Sequence, residues 1–179
     1  MNLPNSITIL RIALVPVFLV AAAGESDASS LVALVVFLVA SLSDSLDGYL
    51  ARKNGSITRF GQFLDPLADK ILIGAALVVL VQDSGFPLWA AVVVAVREVA
   101  VQLLRIRMTR GGRSMPASPA AKAKTATQLL MVSWWLLPWE STNFVHWGLL
   151  AVALATTAWS GWEYFVNAAR PRAPEGISA

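Results

Sequence analysis

Long apolar runs separated by short polar breaks organise the chain. Nearly continuous apolar stretches occupy 7–23, 31–50, 60–81, 88–108, 125–137 and 144–169, and the fifth extends backwards through 120–124. Runs of about 20 apolar residues match the length of a helix that crosses a hydrocarbon core. The pattern therefore predicts an all-α fold, a polytopic membrane helix bundle with six transmembrane helices over 1–170, followed by a polar cytoplasmic tail at 171–179. The first run could be taken for a signal peptide, since Ala21, Ala22 and Ala23 resemble a cleavage site. The residues before it are not basic, however, and Arg11 falls inside it, so a retained span is the better reading.

The breaks alternate in charge. Those at 25–30, 82–87 and 138–143 contain no Lys or Arg, whereas Arg52, Lys53 and Arg59 mark the break after the second run and 107–124 contains five basic residues. Basic loops stay on the cytoplasmic side of a membrane. Both termini are then expected inside, in a multi-pass protein of the cell (inner) membrane. Composition agrees: 56% of the 179 residues are hydrophobic and mean hydropathy is +0.63. The chain has no Cys, which excludes disulfides and thiolate chemistry. A net charge of +3 without a basic–aromatic motif gives no reason to expect nucleic acid.

One polar stretch interrupts this apolar background. Asp44, Asp47, Asp65 and Asp69 are four of only 11 acidic residues. A carboxylate at membrane depth costs about 2.5–3.5 kcal/mol on insertion scales and is a functional-site candidate for that reason. Asp44, Asp47, Gly48, Ala51 and Arg52 fall on one helical face, and Gly61, Asp65 and Asp69 on one stripe of the next helix. The turn signal Asn54-Gly55 between them makes the two helices antiparallel neighbours. Carboxylates gathered in a low dielectric need neutralising. Arg52 and Lys70 offset part of the charge. An all-oxygen donor set suits divalent Mg²⁺ or Mn²⁺ better. Gly48 and Gly61 leave room for a bulky ligand.

The arrangement D-x2-D-G-x2-A-R-x8-G-x3-D-x3-D, here Asp44, Asp47, Gly48, Ala51, Arg52, Gly61, Asp65 and Asp69, resembles the signature of the CDP-alcohol phosphatidyltransferases. The resemblance implies two divalent metal ions held by the four aspartates, with Asp69 also the general base. It implies that Gly48, Arg52, Thr58 and Gly61 hold a CDP-lipid. The opening N-x-P-N-x-x-T-x-x-R is similar to that of many bacterial members, which places Asn5, Thr8 and Arg11 at the cytidine and phosphate end. CDP-diacylglycerol is the implied donor, CMP the leaving group, and the active site faces the cytoplasm.

A second constellation comprises Arg97, Glu98, Arg105, Lys122 and Lys124. Arg97 and Arg105 lie eight apart and share a helix face. Arg binds phosphate bidentately and Lys adds a point charge. R-E-x6-L-R followed by K-x-K is similar to the acceptor-phosphate site of the glycerol-phosphate branch of the family, which carries over to Arg97, Arg105, Lys122 and Lys124. The stretch F-L-D-P-L-A-D-K from Phe63 to Lys70 also looks like that branch. The implied acceptor is sn-glycerol 3-phosphate. The alternatives are a cardiolipin synthase or another family member with a different acceptor and, more remotely, a transporter with intramembrane carboxylates. The resemblance further implies a homodimer, for which Gly74, Ala75 and Ala76 offer small residues at a helix contact. Trp89, Trp134, Trp135, Trp139 and Trp147 are expected in one interfacial belt and Trp159 and Trp162 in the other. His146, the sole histidine, is expected as an interfacial ring on the outer side.

Overall fold

A computed structural model of the protein describes residues 3–54, 59–110, 118–139 and 142–169, and side chains within 8–43, 67–110, 118–139 and 142–169. The described residues form six helices: α1 (Leu3–Ala22), α2 (Asp27–Asn54), α3 (Arg59–Asp83), α4 (Leu88–Arg110), α5 (Pro119–Trp135) and α6 (Phe144–Ala169). No strand occurs among them. The all-α expectation holds, and each apolar run lies within one helix except that 7–23 and 125–137 overrun the ends of α1 and α5. The tail at 171–179 lies outside the described residues.

Several boundaries differ from the sequence expectation for local reasons. α1 begins at Leu3, because Pro4 suits a first turn, where its missing N–H is not needed. α2 begins at Asp27 behind Ser26, whose Oγ accepts from Ser29 N at 3.2 Å while Ser29 Oγ accepts from Ser26 N at 3.1 Å. This reciprocal pairing is a capping box built with Ser at the third position. α5 starts at Pro119, not 120, with Ser118 as its N-cap accepting from Ala121 N at 3.2 Å. The basic stretch 107–124 is therefore helix at both ends. α3 ends where Gly85 takes φ 68°. That left-handed residue lets Phe86 N donate to Leu80 O at 3.1 Å and turns the chain back toward the core.

α1 packs on α2 and α3, while α6 packs on α4 and α5; α3 meets α4, and α2 and α3 meet α5. The core runs through both groups. Phe18 and Phe37 meet at 6.0 Å, and Leu72, Leu80, Val94, Met131 and Val132 are nearly or fully buried. Outward faces carry large apolar residues, among them Val20, Leu88, Val96 and Trp162. Among the described residues only α6 is both long and apolar enough to cross a membrane by itself; Thr8–Ala22 and Asp27–Ser43 are shorter apolar stretches. The six-span expectation is met in helix number, and spanning by length and composition is shown for α6 alone among the described residues. α3 carries Asp69 and Lys70, α4 carries Arg97, Glu98 and Arg105, and α5 has only 17 residues.

The expected aromatic belt is partly core. Trp135 and His146 are 2% exposed. Their rings meet edge-on at 4.8 Å, and Phe86 meets Trp135 at 4.9 Å. Both are needed to fill the space between α5, α6 and the turn at Gly85, so His146 is a packed ring and not an interfacial one. Trp89, Trp139, Trp147, Trp159 and Trp162 are exposed, as a belt requires. Ala76 is fully buried within the bundle, so it cannot contact a second copy.

Candidate active site

A cavity of about 840 Å³ opens between α2, α3, α4, α5 and α6. Asp69 and Lys70 enter it from α3, Arg97, Glu98 and Arg105 from α4, and Lys122 and Lys124 from α5. Five basic and two acidic side chains thus share one chamber, the remainder of which is largely apolar or neutral. All four residues expected to bind an acceptor phosphate line it together with the expected general base. Arg105 and Lys122 are exposed at its wall, while Arg97 and Lys124 are 14% and 12% exposed.

Two polar knots flank the cavity. The first joins α1, α2 and α3. Arg11, 1% exposed, donates from Nε to Ala40 O at 3.1 Å and from Nη1 to Asp69 Oδ1 at 3.2 Å. Thr8, one turn earlier on α1, is equally buried. A charge this deep is tolerated only when paired and hydrogen-bonded, and Arg11 is both. The Asp69 side chain is 48% exposed, so its carboxylate also reaches the cavity.

The second knot joins α3, α4, α5 and α6. Glu98 Oε1 accepts from Lys124 Nζ at 2.6 Å and from Arg97 Nη1 at 2.9 Å. Its Oε2 lies 3.7 Å from Lys70 Nζ. Arg97 Nη2 donates to Ser160 Oγ on α6. Gly161 gives Arg97 room, since a Cβ there would lie 3.4 Å from Arg97 Nε. Farther along, Ser118 Oγ donates to Glu163 Oε2 at 2.7 Å, which fixes the start of α5 against α6. Asp69 and Lys70 are consecutive, so one turn of α3 serves both knots.

Sequence reasoning placed Glu98 among the basic residues without a role, and passed over Ser160. The signal for Glu98 was available: the one acid among Arg97, Arg105, Lys122 and Lys124, in apolar surroundings, needs partners. Ser160 had no such signal, because its contact depends on how α6 lies against α4.

The expected metal set extends beyond the described side chains. Asp44 and Asp47 stand one turn apart on α2, and Asp65 stands one turn before Asp69 on α3. The side chains of Asp44, Asp47, Asp65, Asn5 and Arg52 lie outside the described residues, as do the surroundings of Gly48 and Gly61; Thr58 lies outside them altogether. Among the described residues no three acidic, His or Cys side chains gather as a metal site. The donor chemistry nevertheless fits a hard divalent ion. α2 and α3 are in contact, and the four residues supply carboxylate oxygens alone.

The chain belongs to the CDP-alcohol phosphatidyltransferase family, whose model matches residues 1–159, and is by that membership a phosphatidyltransferase. Among particular relatives, the chain is 42% identical to the CDP-diacylglycerol–glycerol-3-phosphate 3-phosphatidyltransferase of Bacillus subtilis, across 92% of this chain and 93% of that protein. It is 40% identical to the enzyme of the same name from Pseudomonas fluorescens, across 92% and 88%. It is 39% identical to a probable phosphatidylglycerophosphate synthase of Mycobacterium tuberculosis, across 94% and 82%.

Proposed function

We propose that the protein transfers a phosphatidyl group from CDP-diacylglycerol to sn-glycerol 3-phosphate, giving phosphatidylglycerophosphate and CMP. The observation that carries this reading is the shared cavity: Asp69 lies in one chamber with Arg97, Arg105, Lys122 and Lys124. A base beside a basic pocket is what an acceptor carrying both a hydroxyl and a phosphate requires. The names of the relatives from Bacillus subtilis and Pseudomonas fluorescens point to the same donor and acceptor.

In this reading Asp69 accepts the proton of the attacking hydroxyl, which must lie within hydrogen-bond reach. Arg11 holds Asp69 Oδ1 and so orients the carboxylate. The basic side chains of α4 and α5 grip the acceptor phosphate. Asn5, Thr8, Arg11, Gly48, Arg52, Thr58 and Gly61 would hold the donor. Asp44, Asp47, Asp65 and Asp69 would hold two Mg²⁺ or Mn²⁺ ions. When bound, these supply charge stabilisation for the transferring phosphoryl and the leaving CMP. The membrane reading completes the picture: six spans, the cavity opening to the cytoplasm, and acyl chains left in the bilayer. A homodimer belongs to the same reading, with exposed Leu67, Ile71 and Val78 on α3 available to a second copy.

The test is to supply purified protein with CDP-diacylglycerol and each acceptor in turn, then identify the lipid formed. Phosphatidylglycerophosphate is expected with sn-glycerol 3-phosphate. Cardiolipin formed from phosphatidylglycerol, with no product from glycerol 3-phosphate, would end this assignment. Treatment with EDTA is expected to stop CMP release, and added Mg²⁺ or Mn²⁺ to restore it.

A further inference from the structure

Glu98 is the one acid in the cavity besides Asp69, and its carboxylate contacts three cations from three helices. It is 15% exposed, and the contacting Lys70, Arg97 and Lys124 are 27%, 14% and 12% exposed. Three positive charges and one negative leave this contact group at +2, and Arg105, Lys122 and Asp69 bring the whole chamber to +3. A phosphate monoester carries about −1.5 to −2 near neutral pH. A phosphodiester carries a single negative charge.

The donors left over matter as much as the charge. A guanidinium has five N–H groups and each ammonium three. Arg97 uses one donor on Glu98 and one on Ser160, and its Nε is sealed beside Gly161, so its remaining donors are at Nη1 and Nη2. Lys124 uses one on Glu98. With Glu98 satisfied, the cluster still presents N–H groups to a second anion. Without it, three like charges would crowd a partly desolvated wall, where their repulsion is far stronger than in water.

We propose that Glu98 is a positioning and specificity-determining residue. It gathers Lys70, Arg97 and Lys124 into a preformed clamp whose net charge matches a phosphate monoester and disfavours acceptors whose phosphate is already a diester. The clamp is read from the cavity; only its assignment to glycerol 3-phosphate rests on the function proposed above.

The experiment uses the full-length protein with Glu98→Gln and Glu98→Asp. Glu98→Gln is expected to raise KM for glycerol 3-phosphate at least tenfold, and to raise it more than it lowers kcat. KM for CDP-diacylglycerol should stay within twofold. Competitive inhibition by inorganic phosphate should weaken in parallel. Glu98→Asp, one methylene shorter, should recover part of the loss. An unchanged acceptor KM, or an equal rise in both KM values, would overturn the proposal. Should Glu98→Gln fail to fold, Lys70→Gln removes the most exposed cation and should raise acceptor KM alone; no change there also overturns it. Calorimetric binding of inorganic phosphate separates the two readings. Wild-type protein that binds phosphate, with Glu98→Gln losing it, supports the clamp even if glycerol 3-phosphate yields no product. Equal binding by both sinks the clamp whatever the acceptor proves to be.

Discussion

At one end of the bundle Phe86 meets Trp135 edge-on at 4.9 Å, and His146 meets the same indole at 4.8 Å. At the other, Lys124 meets Glu98 at 2.6 Å and Arg11 meets Asp69 at 3.2 Å. Both ends join helices that are distant in sequence, but by different physics. The aromatic end gains from area removed from water and from ring geometry, which tolerate small shifts. The charged end carries a desolvation cost that its ion pairs offset only while every partner is present. Such groups are a poor means of stabilising a bundle. In the proposed reading their concentration around one cavity serves the chemistry, while stability is supplied from the opposite end. Mutations should therefore separate: activity losses at the charged end, stability losses at the aromatic one.

The largest expected effect is that of Asp69→Asn. It removes the proposed base and a proposed metal ligand, and a positioned base is worth about 10²–10⁴-fold in rate. CMP release should fall by at least that factor while CDP-diacylglycerol still binds. Near-normal turnover would remove Asp69 from the mechanism and break the contrast at its strongest point.

Trp135→Ala should act in the opposite sense. Truncating a buried Trp costs about 3–5 kcal/mol. Trp135 is 2% exposed between the Gly85 turn and His146. Thermal unfolding should move down sharply, whereas the folded fraction should keep both KM values within twofold. A selective rise in acceptor KM would show that the two ends are coupled.

Arg11→Met tests the boundary between these cases, because Arg11 both ties three helices and holds Asp69. Leaving a buried hydrogen-bonding group unsatisfied costs about 1–3 kcal/mol. The lower part of that range is expected, since Asp69 is half-exposed and water can replace its lost partner. Activity should fall further than stability alone explains. Arg11→Lys, which cannot make both bonds with the same geometry, should recover less than half of the turnover. Full recovery would reduce Arg11 to a simple counter-charge.

Legibility from the sequence followed the same division. The six helices could be read because each apolar run exceeds three turns and the breaks are short and polar. The basic residues of α4 and α5 could be read as one site, because Arg97 and Arg105 share a face and Lys122 and Lys124 open the next helix. What escaped was lateral. No local pattern shows that Glu98 reaches both Lys70 and Lys124, or that Ser160 meets Arg97, since these contacts depend on how four helices lie against one another. Trp135 and His146 were misplaced for a similar reason. Interfacial and buried aromatics look alike in sequence, and the Gly85 turn that brings Phe86 inward decides between them. The start of α5 was more accessible: Ser118-Pro119 is a helix-start signal that the surrounding basic residues obscured.

His146→Phe should have the smallest effect, and for that reason tests the contrast most finely. His146 Nδ1 lies 3.1 Å from Asn143 N and 3.0 Å from its Oδ1, next to the start of α6. Asn143 is exposed, so water can take over the lost bond, and a phenyl ring keeps the edge-on contact with Trp135. The cost should be below about 1 kcal/mol, or a fall of no more than about 2–4 °C in the thermal midpoint. Because the ring sits at the aromatic end, the pH–rate profile between about pH 5.5 and 7.5, where an imidazole titrates, should match that of the wild type. A lost limb in that profile would place a titrating group of the reaction at the aromatic end, and the separation of stability from chemistry would no longer hold.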